Sequence, residues 1–190
     1  ISAEADLAAL DWDYRKPEEA YSIIEKIQMP VDIQKILSKK PDTIPQKYVH
    51  KVNQGNVLIS SAERMENMVY FKGFNSIDEI KSDHNADHLD GIKLFEAARQ
   101  ATLASFHVMG VTFEGVMALT ESFVDYKKFV ELDKPYYIQV IPACKSDGGA
   151  MYCVFAIIQD NSVNASGYFG TYTFRNRELY LNKRNQNRGA

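Results

Sequence analysis

Cysteine is scarce in this sequence, and a metal-binding pattern is lacking altogether. The two cysteines, Cys144 and Cys153, lie in or beside apolar stretches, and no His or Cys residues have the spacing of a metal site. We therefore expect buried reduced thiols, no disulfide, no metal and no cofactor. With 190 residues and 45% hydrophobic content, the chain can bury a core without such cross-links.

Strong charge of one sign and long apolar runs are lacking as well. The formal net charge is -3 and the pI is near 5.8, which gives no general attraction to nucleic acid or to anionic lipid. No stretch of 18 uninterrupted apolar residues occurs, and the first residues are neither basic nor strongly apolar. These absences predict a cytoplasmic protein whose partners are small molecules, not nucleic acid or membranes.

Residues 1–46 are predicted to form a helical extension. Pro17 suits the first position of a helix, and apolar residues recur on one face from there to Ile27, before Pro30. A second short apolar face, over residues 33–37, ends before Pro41. Such faces must dock on the main domain or on a partner subunit, and a lid over a binding channel is the alternative.

The residue pattern over 47–174 predicts a β-rich domain built around one helix. The predicted strands cover 52–60 and 64–74 before the helix, and 112–126, 136–144, 150–159 and 165–174 after it. The nearly all-apolar run at 150–159 predicts a central strand, and residues 161–167 are predicted as the turn that follows it. Residues 175–190 are polar and mainly basic, which predicts a solvated tail or an electrostatic docking tail.

The segment between the second and third strands is apolar on nearly every side from Gly91 to Met109, so it predicts a buried helix. Its alanines leave room for a sheet to approach closely. The prediction is an α+β hotdog fold, an antiparallel sheet wrapped around one long central helix with an N-terminal helical extension. Another α+β sandwich would also fit this order of elements.

Residues 90–100, DGIKLFEAARQ, resemble the PGVLxxEAMAQ pattern of β-hydroxyacyl carrier-protein dehydratases, with Glu96 and Gln100 matching directly. They are more similar to the A-factor biosynthesis hotdog family, whose helix reads EAxRQ and whose opening strand carries a Val-His-Arg/Lys motif. Val49, His50 and Lys51 match that motif here. The resemblance implies a hotdog domain over residues 47–174.

The A-factor resemblance also implies an activity. Members transfer a β-ketoacyl group from a carrier protein to the hydroxyl of dihydroxyacetone phosphate, on the way to a butyrolactone signal of secondary metabolism. This chain would then use an acyl carrier protein or coenzyme A thioester and a small hydroxylated acceptor. Members typically carry two repeats, and the single EAxRQ here implies a homodimer. A dehydratase, a thioesterase, or a non-catalytic acyl-binding or regulatory hotdog protein are the alternatives.

Thioester chemistry needs donors for a developing oxyanion and a group that moves a proton. The amides of Gly91 and Ile92 begin the helix and suit the first task. Glu96 suits the second if its apolar helix raises its pKa, and the alternative is an ion pair with Arg99 or Lys93. Gln100, one turn further, is expected to hydrogen-bond Glu96 or the substrate carbonyl.

The remaining candidates are one arginine and the histidines. Arg99 needs an anion, which is either Glu96 or a substrate phosphate or carboxylate. His84 and His88 precede the helix in a polar loop, where either is a solvated residue or a general base. His50 either orients its strand or lines the site, and His107 is expected to be a packed histidine.

Overall fold

The computed structural model describes residues 17–76, 79–80, 87–145 and 148–188. The helices are α1 (Pro17–Ile24), α2 (Val31–Ser38), α3 (Gly91–Val108) and α4 (Arg177–Arg188), with 3-10 turns at Gln46–Val49 and Gln54–Asn56. The strands are β1 (Glu63–Met65), β2 (Met68–Lys72), β3 (Val116–Tyr126), β4 (Tyr137–Ala143), β5 (Gly149–Gln159) and β6 (Ser162–Phe174). None of these helices combines the length and the apolar character that crossing a membrane would require.

The strands form one antiparallel sheet in the order β1-β2-β4-β5-β6-β3. Helix α3 packs against its inner face, mainly over β4 and β5. Small residues of α3, among them Ala97, Ala101 and Ala104, are fully buried in this contact, which lets sheet and helix approach closely. The predicted α+β hotdog fold is confirmed.

The predicted central strand is confirmed as β5, between β4 and β6. Alternate side chains of a strand point to opposite faces. Cys153 and Phe155 belong to the core under α3, whereas Tyr152 and Val154 belong to a second core on the outer face. Both faces of β5 are therefore buried, which is why its sequence is apolar at nearly every position.

The second core is completed by α1 and α2. Ile24 and Leu37 are fully buried against the outer face of the sheet. Buried Gln139 donates hydrogen bonds to the carbonyls of Ile24 and Ile27, at 3.2 and 3.0 Å, and so binds the end of α1. Helices α1 and α2 thus dock on their own domain, on the face opposite α3.

Three predicted elements differ in the structure. The predicted strand at 52–60 is a 3-10 turn followed by isolated bridges at Ile59 and Ser60, and the run at 64–74 instead supplies most of the β1–β2 hairpin. Most of the predicted turn at 161–167 is strand, because Asp160 and Asn161, with φ of 53° and 57°, make a tight two-residue turn and β6 begins at Ser162. The predicted polar tail forms helix α4 over Arg177–Arg188, and the described side chains of this helix are mostly exposed.

Candidate functional site

A cavity of about 310 Å³ lies at the start of α3. Apolar side chains from the loop before α3, from α3 itself and from the segment after β3 form most of its wall. Its lining residues are His88, Leu89, Gly91, Leu94, Tyr126, Lys127, Lys128, Phe129 and Val130. The cavity therefore combines an apolar wall with the amide end of a helix.

Gly91 allows Tyr126 to lie directly over the helix start. The Tyr126 hydroxyl donates a hydrogen bond to the Gly91 carbonyl at 2.7 Å, and a Cβ at Gly91 would lie 3.3 Å from the Tyr126 ring. The Asp90 side chain makes no capping hydrogen bond, and the backbone carbonyl of Asp90 accepts from the amides of Lys93 and Leu94. The amides of Gly91 and Ile92 precede these and begin the helix. Ile92, whose side chain is exposed, can contribute its amide but does not line the cavity.

His88 is the predicted histidine that the structure places in this cavity. Its backbone forms a bridge with Glu131, and the Leu89 amide donates to the Val130 carbonyl at 2.8 Å. The imidazole lies 4.4 Å from the Phe129 ring, centroid to centroid, and its Nδ1 is 2.8 Å from an Asp87 carboxylate oxygen. His84, the other predicted loop histidine, lies outside the described residues.

Glu96 does not line this cavity but forms an ion-pair network further along α3. Arg99 donates to both carboxylate oxygens of Glu96 from Nε and Nη2, each at 2.7 Å. Lys51 Nζ lies 3.1 Å from Glu96 Oε1 and also pairs with Glu79. Lys93, the other predicted partner of Glu96, pairs instead with Asp90 at 3.3 Å. Glu96 is thus a buried, fully engaged carboxylate.

The expected rise in the pKa of Glu96 is not found. Burial alone raises this pKa, but the hydrogen bonds and charge of Arg99, with hydrogen bonds from Gln100 and Lys51, outweigh it and lower the pKa to about 2. The same pairing raises the pKa of Arg99. The carboxylate is therefore ionised at neutral pH and cannot act as a general acid there.

Gln100 fastens the loop before β1 to α3. Its Oε1 accepts a hydrogen bond from the Leu58 amide at 2.8 Å, and its Nε2 donates to the Asn56 carbonyl at 2.8 Å and to Glu96 at 3.0 Å. The expected bond to Glu96 is confirmed. Because both amide hydrogens are used, Gln100 has no donor left for a substrate carbonyl.

His50 ends a 3-10 turn, not a strand, and adopts the left-handed conformation with φ of 54°. Its Nε2 lies 2.9 Å from Nε2 of His107, whose Nδ1 lies 2.9 Å from the Val111 carbonyl. His107 also stacks on Phe113 with ring centroids 4.1 Å apart. His107 is a packed histidine, as expected, but it is also the partner of His50.

A second cavity, of about 180 Å³, lies beside this histidine pair. Its lining residues are His50, Arg99, Thr102, Leu103, Met117, Leu119, Phe169 and Thr171. It lies between α3 and the first half of β3, whereas the cavity at Gly91 adjoins the far end of β3.

The model of the A-factor biosynthesis hotdog domain matches residues 33–175 of this chain. The chain belongs to the A-factor biosynthesis hotdog family. The match begins within α2, so part of the helical extension falls inside the family's domain. Among curated proteins, none matches the chain.

Solved structures show the same fold at low identity. An uncharacterized protein from Pyrococcus horikoshii is 17% identical, with a TM-score of 0.51, over 72% of this chain and 98% of its own. The HP0420 homologue from Helicobacter felis is 10% identical, with a TM-score of 0.51, over 74% and 96%. A hypothetical thioesterase from Streptococcus pneumoniae, crystallised with coenzyme A, is 16% identical, with a TM-score of 0.48, over 60% and 84%.

In this A-factor family member, the predicted site residues fall into two groups along α3. Gly91 and His88 share the first cavity, while His50 and Arg99 line the second and Glu96 lies in the ion-pair network beside Arg99. Among the described residues, no three His, Cys, Asp or Glu side chains are grouped to hold a metal ion. The residues that line the two cavities include imidazoles, cationic and hydroxyl side chains, and apolar side chains.

Sequence reasoning missed Tyr126 and Phe129 of the first cavity and the pairing of His107 with His50. Tyr126 is 35 residues from Gly91, and His107 is 57 residues from His50. The sequence does give one indication of the histidine pair, because His50 belongs to the family motif and His107 lies on the same helix as EAxRQ. Only the fold shows that the two imidazoles meet.

Proposed function

We propose that this protein is an acyl-thioester enzyme that transfers a β-ketoacyl group from a carrier protein to a small hydroxylated acceptor. The observation that carries the proposal is the apolar cavity that ends at the first turn of α3, with Gly91 and Leu94 in its wall. Coenzyme A is the alternative carrier, because both carriers present the same thioester.

The first cavity suits each part of such a substrate. The thioester carbonyl would lie at the amides of Gly91 and Ile92, which stabilise negative charge that develops on its oxygen. The acyl chain would contact Leu89, Leu94 and Phe129. A volume of about 310 Å³ is at the small end of ligand sites, which favours a short acyl chain.

The exposed edge of β3 supports a homodimer. Among the described strands, β3 pairs with β6 alone, and its other edge runs for 11 residues beside exposed Leu119, Phe123 and Tyr126. A long apolar edge is normally covered or paired. Antiparallel pairing with the same strand of a second copy satisfies the backbone groups of both edges.

A non-catalytic acyl-binding protein is the second candidate. The engagement of Glu96 with Arg99, Lys51 and Gln100 favours it, because the residue that matches the dehydratase acid-base pattern is held as a structural anion. Such a protein would bind the acyl group at Gly91 without turnover.

The test is intact mass spectrometry of a carrier protein loaded with a β-ketoacyl chain, with and without this protein and a series of small alcohols. Loss of the acyl group only when an acceptor is present supports transfer. Loss without an acceptor indicates a thioesterase, loss of water from a β-hydroxyacyl chain indicates a dehydratase, and binding without reaction indicates the non-catalytic protein.

A matched pair of variants locates the site. Phe129→Asp places a charge in the wall of the first cavity at a side chain that is 70% exposed, so folding should be retained. Val52→Asp places the same charge at a 94% exposed position away from both cavities. Acyl binding should be lost in the first variant alone, and equal binding by both would place the site elsewhere.

A further inference from the structure

The hydrogen bonds of the histidine pair determine which nitrogen of each ring carries a proton. The Val111 carbonyl can only accept, so Nδ1 of His107 is protonated. In a neutral ring the Nε2 of His107 is then an acceptor, and Nε2–H of His50 must donate to it across 2.9 Å. Nδ1 of His50 is left with a free lone pair.

The surroundings keep both rings neutral. Burial lowers the pKa of His107. Burial also lowers the pKa of His50, to about 4, and it is lowered further because a charged His50 would be repelled by a charged His107 and by the Arg99 cation. No described residue donates a hydrogen bond to Nδ1 of His50, and His50 is one of the residues that line the second cavity.

The second cavity is suited to a small polar molecule. Its volume of about 180 Å³ corresponds to about six waters at about 30 Å³ each, which is less than an acyl chain with its carrier arm requires. His50 and Arg99 supply polar groups to its wall, in contrast with the mainly apolar wall of the first cavity.

The proposed thioester position and the His50 imidazole of one chain are too far apart to react with each other. Gly91 and His107, whose ring contacts His50, are separated by about 24 Å along α3, at 1.5 Å per residue. In the proposed dimer, however, antiparallel pairing about the middle of β3 brings the Tyr126 end of one strand beside the Met117 end of its partner. The first cavity of one subunit then adjoins the second cavity of the other.

Resting on the proposed transfer activity and dimer, we infer that His50 is the general base for the acceptor and acts on an acyl group bound by the partner subunit. Nδ1 of His50 takes the hydroxyl proton as the acceptor oxygen bonds to the thioester carbon. The C–S bond then breaks, and the leaving sulfur receives that proton from His50, giving an ester and a thiol. His107 is a positioning residue that fixes the tautomer of His50.

The tautomer assignment is tested without any turnover. Long-range proton–nitrogen NMR on protein with ¹⁵N-labelled histidine, assigned with His50→Gln and His107→Gln variants, should show Nε2–H on His50 and Nδ1–H on His107 at pH 7.5. Protonation of His50 at Nδ1, or a charged His50 ring, would overturn the inference.

The partition between subunits is tested with heterodimers purified through two different tags after co-expression. His50→Gln should lower the transfer rate about 10²- to 10⁴-fold, the usual contribution of a general base, while leaving acyl binding intact. Phe129→Asp should abolish acyl binding. A heterodimer of the two variants has one composite site with both residues intact, so about half of the parental rate should return.

Heterodimers as inactive as both homodimers would show that each site lies within one subunit and would overturn the inference. If the parent protein transfers no acyl group to any acceptor, the proposed function has failed. A second NMR measurement then tests, without turnover, whether His50 lies beside the acyl group. A non-hydrolysable acyl amide should shift the Nδ1 resonance of His50 in the parent but not in Phe129→Asp. Saturating binding to the parent without that shift would contradict the shared site.

Discussion

At the residue scale, Glu96 is the clearest case in which the environment changes the role of a side chain. The apolar helix alone would raise its pKa, and a raised pKa is what an acid-base catalyst needs. Two cations and one amide instead hold it as an anion. Replacement of one partner in a buried ion pair leaves the other charges uncompensated. We therefore expect Glu96 to contribute to the stability of the fold.

Glu96→Gln should therefore lower the free energy of unfolding by about 3 kcal/mol, because it leaves Arg99 and Lys51 without their shared anion. Urea unfolding at neutral pH measures this loss. The matched control is Glu79→Gln, which removes the more exposed partner of Lys51 and should cost less than about 1 kcal/mol. Equal losses in the two variants would argue against the special role of Glu96.

The same carboxylate should link stability to pH. Its pKa of about 2 in the folded chain is below the ordinary 4.5, so its contribution is complete above about pH 4.5 and is lost as the pH falls toward 2. The difference in unfolding free energy between the parent and Glu96→Gln should thus be largest at neutral pH and shrink below pH 4.5. Urea unfolding at pH 7, 4 and 3 checks this, and a constant difference would contradict it.

At the element scale, α1 and α2 belong to the folding unit of the domain. They supply one side of the outer core, and the central strands supply the other side. In many sheets that face is left to solvent, but here strands β4 and β5 carry apolar residues on both faces and need the helices to cover them.

Leu37→Ala should destabilise the domain by about 2–4 kcal/mol, because it empties a fully buried position between α2 and the sheet. Ile36→Ala, on the same helix at a position that is 46% exposed, is the matched control and should cost much less. Thermal or urea unfolding of the two variants provides the measurement. A loss for Leu37→Ala that appears only at high protein concentration would indicate docking on a partner instead.

At the scale of the whole molecule, the proposed dimer would form through the exposed edge of β3. In that dimer, a two-fold axis near the middle of the strand would place Ser122 close to Ser122 of the partner subunit. Ser122→Lys would bring two like charges together and should dissociate the dimer, with loss of any activity that needs both subunits. Ser38→Lys, at an exposed position on α2, is the control that adds the same charge away from the edge.

Analytical ultracentrifugation measures this effect. The parent and Ser38→Lys should sediment with twice the chain mass of 21.6 kDa, and Ser122→Lys with the mass of one chain. A monomeric parent at micromolar concentration would contradict the dimer itself. A dimeric Ser122→Lys would place the interface away from the middle of β3.

The sequence by itself determined the helix and the strand whose residue patterns are compatible with only one type of secondary structure. The apolar stretch from Gly91 predicted α3 to within one residue of its end, and the all-apolar run at 150–159 predicted the central strand. Both segments are apolar at nearly every position, and a short segment of that composition must be buried wherever it lies in the fold. The same segment, read as EAARQ, also indicated the family and the helix that the candidate residues share.

Only the tertiary structure decided what those residues do. Besides Arg99 on its own helix, Glu96 pairs with Lys51, which is 45 residues away along the chain. The free lone pair of His50 depends on His107 and on the Val111 carbonyl. Tyr126 reaches Gly91 because β3 returns along the sheet edge. Hydrogen bonds and electrostatic shifts act through space over a few ångströms, and sequence spacing carries no information on such distances until the chain has folded.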